Sequence, residues 1–245
     1  MAKHDRLTAL FDRFRFSVRS TYICDANLVA YQGNSSTQLV FQPGQCISEI
    51  GGAKPLFTLY VDFGQLTRSL ASALPNGLQE TVKPNSDLAM LVELITAETN
   101  QQRCGAKAVI ERLGEILIVR ILRMQLDKGV ATPGLLAGLS DDRISRALVS
   151  IHEQPEQFWR TADLADVAGL SQSRFKTLFA DLVGESPGTY LRRWRLMLAK
   201  ADIESGERVD KISRKYGYKA PDAFSRAYLK EYGQRPKKAS LEATR

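Results

Sequence analysis

The sequence is poor in the residues on which metal sites, secreted scaffolds and membrane spans depend. It holds two histidines, His4 and His152, in 245 residues. A metal-dependent enzyme of the two-His-one-carboxylate kind has too few imidazoles to draw on, and these two are far apart in the chain. The three cysteines, Cys24, Cys46 and Cys104, form no C-x-x-C pair and are odd in number. That argues against a disulfide framework and suits a reducing cytoplasm. No run of about 18 apolar residues occurs, so no transmembrane helix is predicted. The opening stretch MAKHDRLTALFDRF is charged and lacks the apolar centre of a secretion signal. There is no nucleophile elbow, phosphate loop or dinucleotide fingerprint. The expectation is a cytoplasmic chain that is not an enzyme, with no cofactor and no metal.

Positive charge is plentiful, and it is concentrated. The net charge is +7, and 17 of the 34 Lys and Arg but only 9 of the 27 Asp and Glu fall in residues 171–245. A basic C-terminal end points to an anionic partner, most commonly nucleic acid. On charge alone a solvated basic face with no partner is an equal alternative.

The pattern predicts an α+β chain. Arg13–Ser20, with Phe14, Phe16 and Val18, alternates apolar and polar residues, as do Gln38–Gln42 and Leu56–Phe63. Gly, Asn, Ser and Pro clusters separate these runs, and about five short strands are expected in residues 1–64. After Gly64 the pattern turns helical. Asp87–Ala97 and Ala106–Leu126 are free of proline, and the second places Ile110, Leu113, Leu117 and Ile121 at helical spacing. Its wide apolar stripe faces a core or a second subunit, so 65–128 is read as a helical dimerisation region. Three glycines and a proline in Lys128–Leu139 mark a linker at 129–140. Residues 141–245 read as all-α, with helices near 141–153, 162–169, 172–183, 187–204, 208–216 and 221–232.

A repeat carries the functional argument. Phe175, Phe179, Gly184 and Pro187 are matched by Phe224, Tyr228, Gly233 and Pro236, at an offset of 49. Upstream, LADVAGL (164–170) faces ISRKYGY (212–218), and the glycine offset there is 48, so the two turns differ by one residue. A duplicated helix–glycine turn–helix predicts two helix-turn-helix units, near 161–183 and 209–232. In the first, Thr161 is a candidate cap, Asp163 favours the first turn, and Gly169 ends the helix. Ser171 caps the next helix, which buries Phe175, Leu178, Phe179 and Leu182. Gln172, Ser173, Lys176 and Thr177 are left outside, where a recognition helix meets base edges. Their equivalents in the second unit are Pro221, Asp222, Ser225 and Arg226. Arg226 has the fork geometry to contact guanine.

Between the units, Ser186-Pro187 is a helix start signal. The following helix sets Tyr190, Leu191, Trp194, Met197, Leu198 and Ala201 on one face and Arg192, Arg193, Arg195 and Lys200 outside. Eighteen residues span about 27 Å, enough to hold two recognition helices roughly one DNA turn apart. Arg174, Arg192, Arg193, Lys200, Lys211, Arg214, Lys215 and Lys219 are the candidate phosphate contacts, supplying affinity and salt dependence.

Residues 141–240, through AGLS-x-SRF, G-x-SP-x-x-YL-x-x-WR and GY…FSRAY, resemble the AraC/XylS family of bacterial transcription regulators. The resemblance implies a DNA-binding domain of about seven helices, promoter DNA and RNA polymerase as partners, activation, and a homodimer. It places base contacts at Ser173, Lys176 and Thr177 and at Pro221, Asp222, Ser225 and Arg226. The N-terminal part is similar to the cupin-type sensor domains of one branch, through RFRFSV, LFTLYVDFG, Cys104-Gly105 and GLLAGLSDDRISRAL. Five strands are few for a barrel that encloses a small ligand, which takes about eight. Two alternatives therefore stand beside a small-molecule sensor: a regulator controlled by a partner protein, or one needing no effector. A metal-dependent cupin enzyme is disfavoured by the histidine count. Cys24, Cys46 and Cys104 are read as small buried hydrophobes, with oxidant sensing as the other possibility.

Overall fold

The computed structural model describes residues 5–12, 16–47, 50–67, 70–71, 74, 77–129, 132–218 and 220–236. Two compact units divide the chain, one from residues 14–140 and one from residues 1–13 together with 141–245. Phe14 and Lys219 lie outside the described residues.

In the first unit five antiparallel strands are found among the described residues: β1 (Ser17–Ser20), β2 (Leu28–Gln32), β3 (Thr37–Phe41), β4 (Pro55–Asp62) and β5 (Leu78–Thr81). Their order is β1-β4-β2-β3-β5. Cross-strand register builds one apolar face. Val18 pairs with Val61, and Leu59, Leu28, Phe41 and Leu78 are successive partners across four strands. Residues opposite one another share a face, so these side chains form a continuous row. All of them are buried. Buried Asn27 extends the sheet by side chain: its amide nitrogen donates to the Val61 carbonyl at 2.8 Å, and its amide oxygen accepts from the Val61 N–H at 2.7 Å. The opposite face carries a small cluster of Ala26, Val29 and Ile47.

Helices α2 (Asp87–Gln101) and α3 (Ala106–Lys128) pack on each other, and α3 lies on β1. Ser86 caps α2 by accepting from the Ala89 N–H at 3.2 Å. Gly114 sets the depth of the α3 contact, since a Cβ there would sit 2.6 Å from Val18 Cγ1 and 3.3 Å from Leu59 Cδ1. Ile110, Leu117 and Ile121 face the core as their spacing predicts, joined by Ile118 and Leu122; Leu113 is half-buried.

Several expectations are corrected. The strand drawn from Arg13 begins at Ser17 among the described residues. Strand β5 lies beyond Gly64, where only helix was expected; LQET is short, with one buried residue at a sheet edge, too weak a pattern to see. Residues 135–140, within the expected linker, form helix α4 (Leu135–Ser140) with five buried residues. Its glycine suggested a breaker, but Gly138 is packed inside. Cys24, Cys46 and Cys104 are all exposed, which overturns their reading as buried hydrophobes. The sheet ends in two open edges, β1 and β5, among the described residues. No described helix is long and apolar enough to cross a membrane.

Candidate nucleic-acid interface

The second unit is helical: α1 (Thr8–Phe11), α5 (Asp142–Glu153), α6 (Thr161–Ala168), α7 (Gln172–Val183), α8 (Pro187–Glu204), α9 (Val209–Lys215) and α10 (Pro221–Tyr232). Helix α1 packs on α5, where Arg6 pairs with Asp142. Asp141 caps α5, accepting from the Arg143 and Ile144 N–H groups at 2.9 and 3.1 Å. The side-chain hydrogen bond from Arg143, together with these N–H donors, holds the Asp141 carboxyl below its ordinary range against the opposing effect of burial.

The first helix-turn-helix unit is α6–α7. Helix α6 begins one residue after Arg160, not at a Thr161 cap: the Arg160 N–H donates to Asp163 Oδ2 at 2.9 Å. The aspartate three residues in captures the end of the helix, so the hydroxyl of Thr161 is not needed. Gly169, at φ 69°, closes α6, with its N–H on the Asp166 carbonyl and the Leu170 N–H on the Ala165 carbonyl, both at 2.9 Å. Ser171 then caps α7, accepting from the Arg174 N–H at 3.4 Å. Phe175, Phe179 and Val183 are buried, while Leu178 and Leu182 are half-buried. Gln172, Ser173, Arg174, Lys176 and Thr177 are all exposed on the first two turns.

The second unit, α9–α10, repeats the turn. The Gly217 N–H meets the Arg214 carbonyl at 3.1 Å, and the Tyr218 N–H meets the Ser213 carbonyl at 2.9 Å. From Gly169 to the capping Ser171 is two residues, and from Gly217 to the N-cap Ala220 is three. The second turn is thus the longer by one, which accounts for the two offsets in the sequence. Phe224 and Tyr228 are buried, Pro221, Asp222 and Arg226 are exposed, and Ser225 is half-buried.

Helix α8 joins the units, starting as Ser186-Pro187 implies, with Ser186 accepting from the Thr189 N–H at 3.3 Å. It packs against α7, α9 and α10. That explains a correction: Ala201 is exposed, whereas Leu196, Ala199 and Ile203 are buried. A helix covered from several sides has no single apolar stripe. At its centre His152 Nε2 lies 2.6 Å from the Tyr190 hydroxyl and the imidazole stacks on Trp194 at 3.9 Å. Burial pushes the His152 pKa down to about 3 and the Tyr190 pKa up.

Two further arginines hold this arrangement: Arg146, which the sequence does not single out, and Arg195, expected outside on α8 but half-buried. Arg146 donates to the Ala168 carbonyl at 2.9 Å, over the first turn. Arg195 donates to the Pro155 and Gln157 carbonyls at 2.6 and 2.7 Å, and its Nη1 lies 3.4 Å from a Cβ built on Gly217. Their separation of 49 residues repeats the offset of the phenylalanines, a signal that would have found them.

The expected phosphate contacts fall into two groups. Arg174 and Arg192 are exposed and make no ion pair among the described residues, and the same holds for Lys176 and Arg226. The others are engaged within the chain: Arg193 with Glu185, Lys200 with Glu204, Lys211 with Glu207, Arg214 with Asp210 and Lys215 with Asp202. Arg193 is the most committed, stacked over Tyr190 at 5.3 Å as well. The more exposed of these pairs, such as Lys211–Glu207 and Arg214–Asp210, are weak and exchangeable, so pairing lowers a residue's rank without removing it.

Residues 164–240 match the family model described as a helix-turn-helix domain, and residues 30–127 match the one described as a cupin. An AraC-like transcription regulator of Streptomyces lividans is 34% identical over 58% of this chain and 47% of its own length. The HTH-type transcriptional regulator AlkR of Acinetobacter baylyi is 32% identical over 58% of this chain and 47% of its own. The matched segment thus spans about half the length of these relatives. A solved AraC-type regulator from Chromobacterium violaceum is 22% identical at a TM-score of 0.37, covering 38% of this chain and 85% of that one. The chain therefore carries a helix-turn-helix domain with a cupin domain ahead of it, and over that matched segment it is similar to AraC-like transcription regulators.

Proposed function

We propose that the chain is a sequence-specific DNA-binding transcription regulator of the cytoplasm, reading promoter DNA in two successive major grooves through α7 and α10. The observation that carries this is the pair of turns with the same hydrogen bonds, each followed by a helix whose exposed first turns hold short polar or cationic side chains. Gln172, Ser173, Lys176 and Thr177 form the first base-reading set, and Asp222, Ser225 and Arg226 the second. Asp222 would repel phosphate and suits a cytosine amino group. Arg174 and Arg192 lead the phosphate contacts. The relatives' names support the regulator role. Activation, through RNA polymerase, is the direction in which the family resemblance points.

A homodimer is part of the reading. Helix α2 exposes Met90 and Leu94, one turn apart, and α3 exposes Val109 and Ile116, two turns apart. Large apolar side chains in such stripes favour a partner surface. Control by a partner protein, or no effector at all, is the second reading, because the five strands found among the described residues leave two open edges and do not close around a ligand.

The test is selection of sites from random duplex DNA by the full chain at near-physiological salt. Recovery of a defined site supports the reading. Weak, salt-sensitive binding with no enriched sequence would sink it.

A further inference from the structure

A cavity of about 210 Å³ lies where the first turns of α8 meet the turn between α9 and α10, lined by Gly188, Leu191, Arg192, Arg195, Gly217 and Tyr218 among others. No carboxylate lines it among the described residues. Its cationic groups keep donors to spare. Arg192 is exposed and makes no ion pair among the described residues. Arg195 uses Nε and Nη2 on the Pro155 and Gln157 carbonyls, which fixes the guanidinium and leaves Nη1 on the Gly217 side. The third polar group is the Tyr218 hydroxyl, buried and without a hydrogen-bond partner among the described residues. Both arginines act electrostatically on that hydroxyl, opposed by burial and by Glu231. Glycines at 188 and 217 keep the mouth clear; a Cβ at Gly188 would meet nothing within 4 Å.

Two guanidinium groups, one immobilised by backbone carbonyls, and an unused phenolic donor around a carboxylate-free space match a tetrahedral oxyanion. We infer that this cavity is a phosphate seat, with Arg192, Arg195 Nη1 and the Tyr218 hydroxyl as its donors. A backbone phosphate of bound DNA and free inorganic phosphate share that chemistry. The first source rests on the DNA-binding function proposed above; the second does not. Arg195 is a positioning residue for the loop at 155–157 as well as a donor, so the variants that isolate the seat are Tyr218→Phe and Arg192→Gln. Tyr218→Phe keeps the ring that packs edge-on against Phe224 at 5.3 Å.

The full chain and both variants are titrated with a labelled random duplex across a salt series, and their melting is followed with and without inorganic phosphate at constant ionic strength. For a DNA phosphate, Tyr218→Phe weakens duplex binding about three- to tenfold, and Arg192→Gln lowers the salt slope by about one. For free phosphate, duplex binding is unchanged, and added phosphate raises the melting temperature of the wild type more than that of Tyr218→Phe. Either pattern supports the seat and names its source. Variants that match the wild type in both measurements overturn it. If the wild type binds no duplex, the proposed function fails, and the inorganic phosphate arm still decides the seat.

Discussion

Arg146 and Arg195 occupy equivalent places in the two halves of the C-terminal unit, 49 residues apart. Each reaches from the helix ahead of a helix-turn-helix unit to the glycine that makes its turn. Arg146 satisfies a carbonyl at the end of α6, and Arg195 satisfies two in the loop before α6. Arg146→Ala is expected to lower stability by about 1–2 kcal/mol, and Arg195→Ala by more, because it frees two acceptors. Both tryptophans, Trp159 and Trp194, lie in this unit, so urea unfolding followed by tryptophan fluorescence measures the effect. Midpoints equal to the wild type would show that water replaces these bonds without loss.

Acid should weaken this unit through His152. Its folded pKa of about 3 lies below the ordinary 6.5 because the ring is fully buried. The unfolded chain therefore binds the proton first, so the contribution is complete above about pH 6.5 and is lost as pH falls toward 3. The loss approaches about 1.4 kcal/mol per pH unit, or about 2 kcal/mol between pH 7 and 5. Tryptophan-monitored urea midpoints should shift over that range, and less so in His152→Gln. Parallel pH profiles for wild type and variant would assign the acid sensitivity elsewhere.

Gly114→Ala tests helix–sheet packing in the N-terminal unit. Alanine favours the helix by up to about 1 kcal/mol. The added Cβ would stand 2.6 Å from Val18 Cγ1, a β-branched side chain with few places to go. Overpacking of this kind costs about 1–3 kcal/mol, so a net loss of stability is expected by circular dichroism on heating. A rise in melting temperature would mean that α3 can lift off β1 at little expense.

Cations that look alike in sequence should separate by function. Arg174→Ala and Arg192→Ala should weaken binding to specific and random DNA alike and flatten the salt slope. Arg193→Ala should act mainly on stability, by about 1 kcal/mol, since it leaves Glu185 unpaired and uncovers Tyr190. An Arg193→Ala slope as shallow as that of Arg192→Ala would show that the Glu185 pair opens on DNA.

Reading the C-terminal unit from sequence worked because its signals are local. Ser171, Ser186-Pro187 and the glycines at 169 and 217 act within one turn of themselves, and the duplicated phenylalanines mark two helices at once. The misses came where a residue's place depends on distant chain. Ala201, Leu196 and Ile203 were sorted by one helical face, but α8 is packed from several sides. LQET became a strand only through its pairing with β3. Gly138 suggested a linker, yet it sits inside a packed helix. The candidate base-reading residues lie on the first turns of α7 and α10, which the same local logic marks, whereas the pairing of Arg193 with Glu185 needs the fold.

The most direct test of two recognition helices in one chain is site selection from random duplex DNA by the full chain, by Lys176→Ala and by Arg226→Ala in parallel. Two recognition helices should give a wild-type site with two blocks about one helical turn, roughly 34 Å, apart. Lys176→Ala should lose preference in one block and Arg226→Ala in the other, at about 1–3 kcal/mol for the position each reads. Loss in the same block for both variants, or unchanged preference in both, would contradict it.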